Sequence, residues 1–514
     1  MADGKVYLTG AGPGAVDLIT VRAAEVLAIA DVVIYDHLVN EELLNLAPAA
    51  AELIYAGKRG GGERALDQDQ INQLMVQRAR AGRHVVRLKG GDPFIFGRGG
   101  EEAAALAEAG VEFEVVPGVT SAIAVPAFAG IPLTHRDYGS FVAFATGHQD
   151  AARISGDAVP WDDLARAARD SGTLVLLMAG ARLRAIAARL IAAGMAPETP
   201  AAAIAHGTLA SQRTLRATLA ALADEVEQAG LKAPAIIVIG PAAALRERLG
   251  WFERRALFGR RIIITRARAT AGPFARTLRE LGAEVIELAT IATAPPDSYA
   301  ALDRAIAQIG SYDWVIFTSA TGVDGLMARL VATGHDVREM ARAGIAAIGP
   351  ATAARLRHYG LRPAALPGEY RAEAIAAAIG VDRIKGARIL IPRAQAAREA
   401  LIDLLRGAGA EAVDVAAAYQ TVRPAPPALE SVKQLLERGE IDLVTFTSSS
   451  TVNNFCAMVG ADLAQGMAAA AIGPITAETA RERGFKVVAQ PPSYTVEALC
   501  TAIQNYFAGL KKSA

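Results

Sequence analysis

The second half of the chain repeats itself, and this internal repeat constrains the fold more than any other feature of the sequence. Three segments recur in the same order, and each second copy lies about 124 to 129 residues after the first. The pairs are RRIIITRARATAGPFARTLRELGAEVIEL at 260–288 with ARILIPRAQAAREALIDLLRGAGAEAVDV at 387–415, DWVIFTSATGV at 313–323 with DLVTFTSSSTV at 442–452, and AAIGPATAARLRHYG at 346–360 with AAIGPITAETARERG at 470–484. Each unit alternates apolar strands with helical patterns, which predicts a small doubly wound α/β sheet.

Two such units predict a two-lobed domain whose strand-end loops face a shared cleft. The proline-rich stretches TAPPDSYAAL at 293–302 and TVRPAPPALE at 421–430 are predicted to be the crossovers between the lobes. We therefore expect lobe 1 to comprise about 260–293 plus 423–514, and lobe 2 about 296–420.

The first half also alternates strands with helices, in VYLTG, DVVIYD, HVVRLKG, VEFEVVP, TLVLLMAG and AIIVIG. This pattern predicts α/β units with largely parallel sheets. In RLGWFERRALFGRRIIITR a charged helix ends, basic residues cluster and a new strand begins at Arg261. We place the main boundary there and expect two domains, 1–253 and 259–514, because 514 residues are too many for one core.

Composition narrows the possible partners. The 53 basic and 53 acidic side chains balance, which predicts no nucleic-acid partner. Two cysteines, Cys456 and Cys500, cannot make a disulfide framework and suit a reducing cytoplasm. The start of the chain lacks a signal-peptide pattern, and no apolar run reaches the roughly 18–20 residues that a membrane span needs. The seven histidines have no metal-ligand spacing, so we expect no metal.

The loop GAGPG near the N-terminus raises the first question of function. Gly10, Gly12 and Ala15 match the dinucleotide fingerprint G-x-G-x-x-G/A. However, Pro13 removes a backbone donor and Asp17 would bring a carboxylate close to a bound pyrophosphate. The helical period also begins only at about Thr20, several residues beyond the glycines. The sequence therefore disfavours a pyrophosphate loop.

Two further Gly/Pro loops follow predicted strands, in VVRLKGGDPFIFGRGGEE at 85–102 and VVPGVTSAIA at 115–124. Gly90 and Gly91 allow a ligand to approach the backbone, and Asp92 can hydrogen-bond its polar groups. Three such loops indicate a site for a ligand with a flat ring and a polar tail. The alternative is that each loop is only a tight turn.

These motifs carry a resemblance. GAGPGAVDLIT, YDHLV, GKR, RLKGGDPFIFGRGGEE, VVPGVTSA and AGIPLTHRDY are similar, in order and spacing, to uroporphyrinogen-III C-methyltransferase over about 4–253. That family belongs to the tetrapyrrole methylases, whose fold of two α/β subdomains is not the Rossmann-type methyltransferase fold. The resemblance implies transfer of two methyl groups from S-adenosylmethionine to uroporphyrinogen III, which gives precorrin-2. It also implies a homodimer formed through this half.

The resemblance assigns site residues in the first half. It implies that the S-adenosylmethionine site is lined by Pro13, Gly90, Gly91, Asp92, Ile95, Thr120, Ser121, Met178 and Gly207. Asp36 and Lys58 match positions with proton-acceptor and proton-donor roles; the alternatives are a strand-end turn former and a solvated charge.

A substrate with eight carboxylates needs local cations in a neutral protein. The candidates in or beside the loops are Arg59, Arg87, Lys89, Arg98 and Arg136. We favour Arg98 as a substrate-binding residue because it lies between glycines. The others are alternatively surface charges.

The second half resembles uroporphyrinogen-III synthase over about 260–510, through a first strand ending in TR, FTS loops, IGP-x-T turns and the tyrosine of AAYQTV. The resemblance implies a pseudo-duplicated, flavodoxin-like α/β synthase without a cofactor, which cyclises hydroxymethylbilane with inversion of ring D. Tyr419 would assist departure of the hydroxyl group. Its alternative is a core aromatic with a satisfied hydroxyl.

The same resemblance implies that Thr352 and Thr476 hold substrate carboxylates, together with the repeat partners Arg266 and Arg393. The threonines are alternatively N-caps of helices. The whole chain is thus expected to be a cytoplasmic bifunctional enzyme whose product feeds sirohaem or cobalamin. The alternative is a methylase for another acceptor, such as RNA ribose or protein histidine, fused to a non-catalytic two-lobed binding module.

Overall fold

The computed structural model of the chain contains two compact units. The first comprises Met1–Arg261, Thr277–Glu284 and Phe507–Ala514, and the second comprises Ile262–Arg276 and Val285–Tyr506. The residues that the structure describes are 4–57, 66–147, 159–266, 268–368, 372–396, 399–424 and 428–513. Within them, no helix has the length and apolar character needed to cross a membrane.

The first unit contains two five-stranded sheets in its described residues. The strands of the first sheet are β1 Val6–Gly10, β2 Val32–Tyr35, β3 Glu52–Tyr55, β4 Val85–Lys89 and β5 Phe113–Val116. Those of the second sheet are β6 Phe141–Thr146, β7 Gly172–Leu177, β8 Pro200–Ala205, β9 Arg213–Thr218 and β10 Ala235–Ile239. The helices are α1 Val21–Ala28, α2 Gln68–Arg80, α3 Gly99–Glu108, α4 Ser121–Phe128, α5 Trp161–Ala168, α6 Leu183–Ala192, α7 Leu222–Gln228 and α8 Arg246–Leu249.

The first sheet has the order β3-β2-β4-β1-β5 with every pair parallel. Its strands are covered on both faces, because alternate side chains enter different apolar clusters: Val6 and Leu8 pack on one side and Tyr7 on the other. The second sheet, ordered β6-β7-β10-β8-β9, differs from the expected parallel arrangement, since only β6 and β7 run parallel. Its last two strands are consecutive in the chain, so they pair as a hairpin.

The second unit also contains two five-stranded sheets in the part that the structure describes. The strands are β11 Arg261–Ile264, β12 Glu284–Glu287, β13 Ala292–Ala294, β14 Trp314–Phe317, β15 Gly344–Ala347, β16 Arg388–Ala394, β17 Ala412–Val422, β18 Leu443–Phe446, β19 Ala468–Ala471 and β20 Lys486–Ala489. The helices are α9 Arg268–Glu280, α10 Ala300–Ala307, α11 Ala320–Ala332, α12 Pro350–His358, α13 Ala372–Ile379, α14 Val381–Ile384, α15 Ala400–Gly407, α16 Leu429–Glu437, α17 Ser449–Val459, α18 Ala461–Ala464, α19 Pro474–Glu482 and α20 Val496–Ser513.

The duplication is visible in the strand order. One sheet runs β12-β11-β18-β19-β20, and the other runs β13-β17-β16-β14-β15. The sequence repeat equates β11 and β12 with β16 and β17, and β18 and β19 with β14 and β15. Both sheets therefore share the order 2-1-3-4 of a flavodoxin-like fold, as the repeat predicted. The short strand β13, at the end of the expected lobe 1, pairs antiparallel with β17 of the other sheet.

Candidate active sites

Three glycine-containing loops of the first unit meet at one edge of the first sheet. Because β4, β1 and β5 are adjacent and parallel, the loops that follow them emerge on the same side. The backbone N–H of Gly12 donates to the Gly91 carbonyl at 3.2 Å, and that of Gly91 donates to the Gly12 carbonyl at 2.7 Å. A Cβ on Gly118 would lie 2.2 Å from the Gly91 carbonyl oxygen, so only glycine allows this approach.

Asp92 fastens two of these loops together. Its Oδ1 accepts from the backbone N–H groups of Phe94 at 2.8 Å and Ile95 at 3.2 Å, and its Oδ2 accepts from that of Gly118 at 3.0 Å. Oδ1 thus uses both of its lone pairs, and Oδ2 can accept one further bond. Asp92 therefore shapes the loop surface, in addition to the ligand contact expected from the sequence.

Two more loops join the same edge. Asn40 Nδ2 donates to the Gly14 carbonyl at 2.9 Å, and the Cβ of Leu38 lies 2.7 Å from the position of a Cβ on Gly90. Thr208 Oγ1, after β8, accepts from the Ala15 N–H at 3.0 Å. We name residues 10–15, 36–40, 90–98, 117–121 and 206–208 the glycine-loop site.

Most of the expected cofactor residues lie in the glycine-loop site. Pro13 is half-buried there, Thr120 caps α4 by accepting from the Ala122 N–H, and Ser121 is the first residue of that helix. Gly207 faces α4, where a Cβ on Gly207 would lie 2.3 Å from Cγ1 of Val125.

Two apolar members of the expected cofactor set are exposed. Ile95 is 42% exposed, and Met178, which follows β7 in the second sheet with φ +54°, is 52% exposed. Exposed apolar side chains beside polar loops are typical of a surface that a ligand ring covers. Lys58 lies outside the described residues.

The charges beside Asp36 differ from the sequence expectation. Asp36 follows β2, where its Oδ1 accepts from the Leu38 N–H at 3.1 Å. Arg87 Nη2 lies 3.5 Å from Asp36 Oδ2. The side chains of Arg87 and Lys89 are only 5% and 6% exposed and pair with Glu102, so they are neither surface charges nor open to bind substrate carboxylates.

Arg98 occupies the N-cap position of α3 with a left-handed φ of +61°. Its guanidinium pairs with Glu101 on the same helix, and this hydrogen bond is the main reason that the pKa of Arg98 is raised. The pair is solvent-exposed, so exchanging it for another carboxylate costs little.

In the second unit, hydroxyl groups line the carboxyl ends of parallel strands. The hydroxyls of Tyr419 and Ser319 lie 3.1 Å apart, and Ser319 caps α11 by accepting from the Gly322 N–H. Ser448 caps α17 in the equivalent place of the other lobe by accepting from the Thr451 N–H. Tyr419 is partly buried and packs against the apolar core of its lobe, with its hydroxyl paired to Ser319.

Thr352 and Thr476 occupy equivalent positions, 4% and 6% exposed, at the third residue of α12 and of α19. The N-cap residues of these helices are Gly349 and Gly473, without a side-chain cap. The N-cap alternative for the threonines is therefore wrong. We name Ser319, Thr352 and Tyr419 in lobe 2, with Ser448 and Thr476 in lobe 1, the hydroxyl edges.

The repeat partners Arg266 and Arg393 differ from each other. Arg393, at the end of β16, is 8% exposed and donates to Glu399 Oε1 at 3.0 Å. Arg266, after β11, is half-buried, and burial lowers the pKa of its guanidinium. Among the described residues, no group of three His, Cys, Asp or Glu side chains has the geometry to hold a metal.

Two exposed side chains of lobe 1 lie at the start of α19 and were not predicted from the sequence. Ile475, beside Thr476, is 74% exposed, and Tyr494 is 64% exposed. Cδ1 of Tyr494 lies 3.3 Å from the position of a Cβ on Gly473, so this ring covers the IGP turn. In the sequence, only an isoleucine in the first turn of a predicted helix could have indicated an exposed apolar side chain here.

Family models match both halves. Residues 5–223 match the tetrapyrrole (corrin/porphyrin) methylases, and residues 272–501 match uroporphyrinogen-III synthase HemD. The two matches and the two sites define the class of protein: a tetrapyrrole-biosynthesis fusion with one enzyme in each half.

Curated relatives extend this finding. The porphyrin biosynthesis protein HemD of Ruminiclostridium josui is 37% identical over 504 residues, which cover 97% of each chain. The S-adenosyl-L-methionine-dependent uroporphyrinogen III methyltransferase of Methanosarcina barkeri is 48% identical over 48% of this chain and 95% of its own length. The siroheme synthase of Thiobacillus denitrificans is 48% identical over 50% of this chain, which spans about half (52%) of that relative. The chain belongs to the same family as the Ruminiclostridium josui protein. It joins a tetrapyrrole methylase to a uroporphyrinogen-III synthase.

Proposed function

We propose that the chain is a bifunctional enzyme of tetrapyrrole biosynthesis. The second half cyclises hydroxymethylbilane to uroporphyrinogen III with inversion of ring D, and the first half adds two methyl groups to that product to give precorrin-2. The observation that carries this proposal is the match of both enzyme families on one chain, together with a porphyrin-biosynthesis relative that aligns over 97% of its own length.

The glycine-loop site fits S-adenosylmethionine. At Gly10, Gly91 and Gly118 the backbones approach so closely that a Cβ on Gly10 or Gly118 would collide with a neighbouring loop, so the loops present a surface with no side chains at these positions. Exposed Ile95 and Met178 offer apolar surface for an adenine ring. When bound, S-adenosylmethionine supplies the electrophilic methyl group, and the chain positions the substrate against it.

Asp36 is proposed to accept the proton that the macrocycle must lose elsewhere after methyl transfer, because the methylated carbon becomes quaternary and carries no proton, and Lys58 is proposed to donate a proton. The Leu38 N–H and the facing Arg87 guanidinium hold the Asp36 carboxylate in a fixed orientation, which is what this role requires of its geometry. Arg98 is proposed to leave its exposed pair with Glu101 and bind a substrate carboxylate.

The hydroxyl edges are proposed to fold hydroxymethylbilane for ring closure. The substrate pyrrole itself assists loss of the hydroxyl group, so the protein has to supply a proton donor and a rigid surface. The Tyr419 hydroxyl, oriented by Ser319, donates to the departing oxygen. Thr352 and Thr476, in the first turns of α12 and α19, bind carboxylates together with the N-terminal N–H groups of those helices.

A methyl-transfer assay tests the first half directly. Reduced uroporphyrinogen III is supplied with S-adenosylmethionine, and S-adenosylhomocysteine and methylated tetrapyrrole are quantified. We expect two methyl groups per tetrapyrrole. Transfer to RNA or to protein histidine, with none to uroporphyrinogen III, would contradict the proposal and favour the alternative acceptor.

We propose two further properties of the chain. A homodimer through the first unit rests on the family resemblance alone, and sedimentation at twice the 53.5 kDa chain mass would support it. A cytoplasmic location is supported by the two free, buried thiols, which suit a reducing compartment.

A further inference from the structure

A buried cluster of charges lies beneath the glycine-loop site. Arg87 and Lys89 point into it from β4, and Glu102 points into it from α3 with a fully buried side chain. Glu102 Oε1 accepts from Arg87 Nε at 3.1 Å, from Lys89 Nζ at 2.9 Å and from Gln68 Nε2 at 3.2 Å. Its Oε2 has no hydrogen-bond partner in the described part of the chain.

The cluster holds one guanidinium in a single orientation. Arg87 Nη1 donates to the Ile34 carbonyl at 3.3 Å and to the Leu88 carbonyl at 3.1 Å, while its Nε is bound to Glu102. These bonds fix the plane of the guanidinium and leave Nη2 facing Asp36 at 3.5 Å. Because the guanidinium is planar and its donors are fixed relative to one another, the bond to the Glu102 carboxylate also sets where Nη2 meets the Asp36 carboxylate.

The charges of the cluster balance only when Asp36 is included. Arg87 and Lys89 carry two positive charges and Glu102 one negative charge, all nearly inaccessible to water. Burial, followed by the charge of Arg87, lowers the pKa of Lys89, so holding the ammonium here costs free energy. Buried ions are costly unless paired, and replacing such a cluster by apolar side chains often stabilises a protein. Stability alone therefore does not explain its presence.

We propose that Glu102 is a positioning residue for methyl transfer, which acts by holding Arg87 against the Asp36 carboxylate. This inference rests on the proposed function of the first half, in which Asp36 accepts the proton. Glu102 touches neither substrate nor cofactor; its effect reaches the reaction only through the orientation of Arg87.

The test is a double-mutant cycle on the full chain with Glu102→Gln, Arg87→Lys and the double variant. Glu102→Gln removes the charge and keeps the shape, while Arg87→Lys keeps the charge and removes the fork. We expect each single variant to lower kcat for methylation of uroporphyrinogen III by about tenfold to a hundredfold. The KM for S-adenosylmethionine and the calorimetric Kd for S-adenosylhomocysteine should change little. The double variant should be no slower than the slower single variant, because both changes break the same link.

Glu108→Gln, an exposed position on the same helix, is the matched control and should behave as the unaltered protein. Additive losses in the double variant, or full activity of Glu102→Gln, would overturn the positioning role. Loss of S-adenosylhomocysteine affinity equal to the loss of rate in both single variants would assign Glu102 to folding alone and would also overturn it. An unaltered protein that transfers no methyl group to uroporphyrinogen III would instead overturn the proposed function, and the inference with it.

Discussion

The glycine-loop site and the hydroxyl edges, which we propose as the two sites for anionic tetrapyrroles, are built in different ways. The first is one surface whose loops are tied by backbone hydrogen bonds, such as Gly12 to Gly91, over buried charges. The second consists of equivalent positions in two lobes, such as Thr352 and Thr476, at the first turns of helices.

The difference follows from what each reaction needs. Methyl transfer needs two molecules at a fixed distance and a group that takes a proton, so a rigid surface with an oriented carboxylate is favoured. Ring closure uses one long substrate whose own pyrroles assist the chemistry. In the proposed site, hydroxyls and helix N-termini hold the carboxylates, and the single proton donor Tyr419 completes it.

The largest expected loss of methyl transfer comes from a side chain that forces the closely packed glycine loops apart. In Gly118→Ala, the new Cβ would lie 2.2 Å from the Gly91 carbonyl oxygen and 2.7 Å from the Gly10 Cα, so the backbone must move. We expect methyl transfer to fall by about a hundredfold or more, with cyclisation unchanged. Gly100→Ala is the control, because its Cβ would meet nothing within 4 Å. Equal methylation rates in the two variants would show that the close approach is not required.

A smaller effect, on cofactor binding, is expected when the Asp92 carboxylate that links two of the loops is removed. Asp92→Ala frees the N–H groups of Phe94, Ile95 and Gly118. Calorimetry should show S-adenosylhomocysteine bound about tenfold to a hundredfold more weakly, since a hydrogen bond to a charged group contributes about 1.5–3 kcal/mol. Cyclisation should be intact. If both activities fell equally, the two sites would not be separable.

Variants of the hydroxyl edges should show the reverse pattern, with cyclisation impaired and methyl transfer intact. In Tyr419→Phe the donor beside Ser319 is lost, and we expect cyclisation to slow by about tenfold while methylation of supplied uroporphyrinogen III is unchanged. Tyr312→Phe is the matched control: this buried hydroxyl donates to Asp414 Oδ2 at 2.6 Å, so its loss should affect stability and not cyclisation. An unaltered rate in Tyr419→Phe would assign Tyr419 to packing.

The smallest effects are expected at the two threonines. Thr352→Val and Thr476→Val each remove one hydroxyl from a nearly buried position. The KM for hydroxymethylbilane should rise about threefold to tenfold in each variant with little change in kcat, because the N-terminal N–H groups of the helix still bind the carboxylate and losing one of several hydrogen bonds costs about 1 kcal/mol. Thr333→Val, which loses a bond to the Arg329 carbonyl at the end of α11, serves as the control. An unchanged KM in both variants would remove the threonines from the substrate surface.

The sequence predicted features that depend on local pattern or on duplication. The 124–129-residue repeat predicted two sheets of matching strand order, and the late helical period predicted that α1 begins near Thr20, its observed N-cap. Long contiguous motifs such as GGDPFIFGRGG also located the loops that meet at one sheet edge.

Features that depend on packing between distant segments were not predictable. Arg87 and Lys89 resemble surface cations in sequence, and only the packing of α3 on β4 buries them against Glu102. The hairpin of β8 and β9 is antiparallel because consecutive strands pair directly, which an alternating pattern does not distinguish from a crossover. The N-cap positions before Thr352 and Thr476 are occupied by glycines, so the threonines lie within the first turn and not where a side chain caps a helix.

The central claim is that one chain carries two separable enzymes that act in sequence. It is tested most directly by supplying hydroxymethylbilane to the full chain, with and without S-adenosylmethionine, and identifying the products by chromatography. The account predicts uroporphyrinogen III without S-adenosylmethionine and the dimethylated product with it. Recovery of only the spontaneously formed type I isomer, with no methylated product, would contradict it.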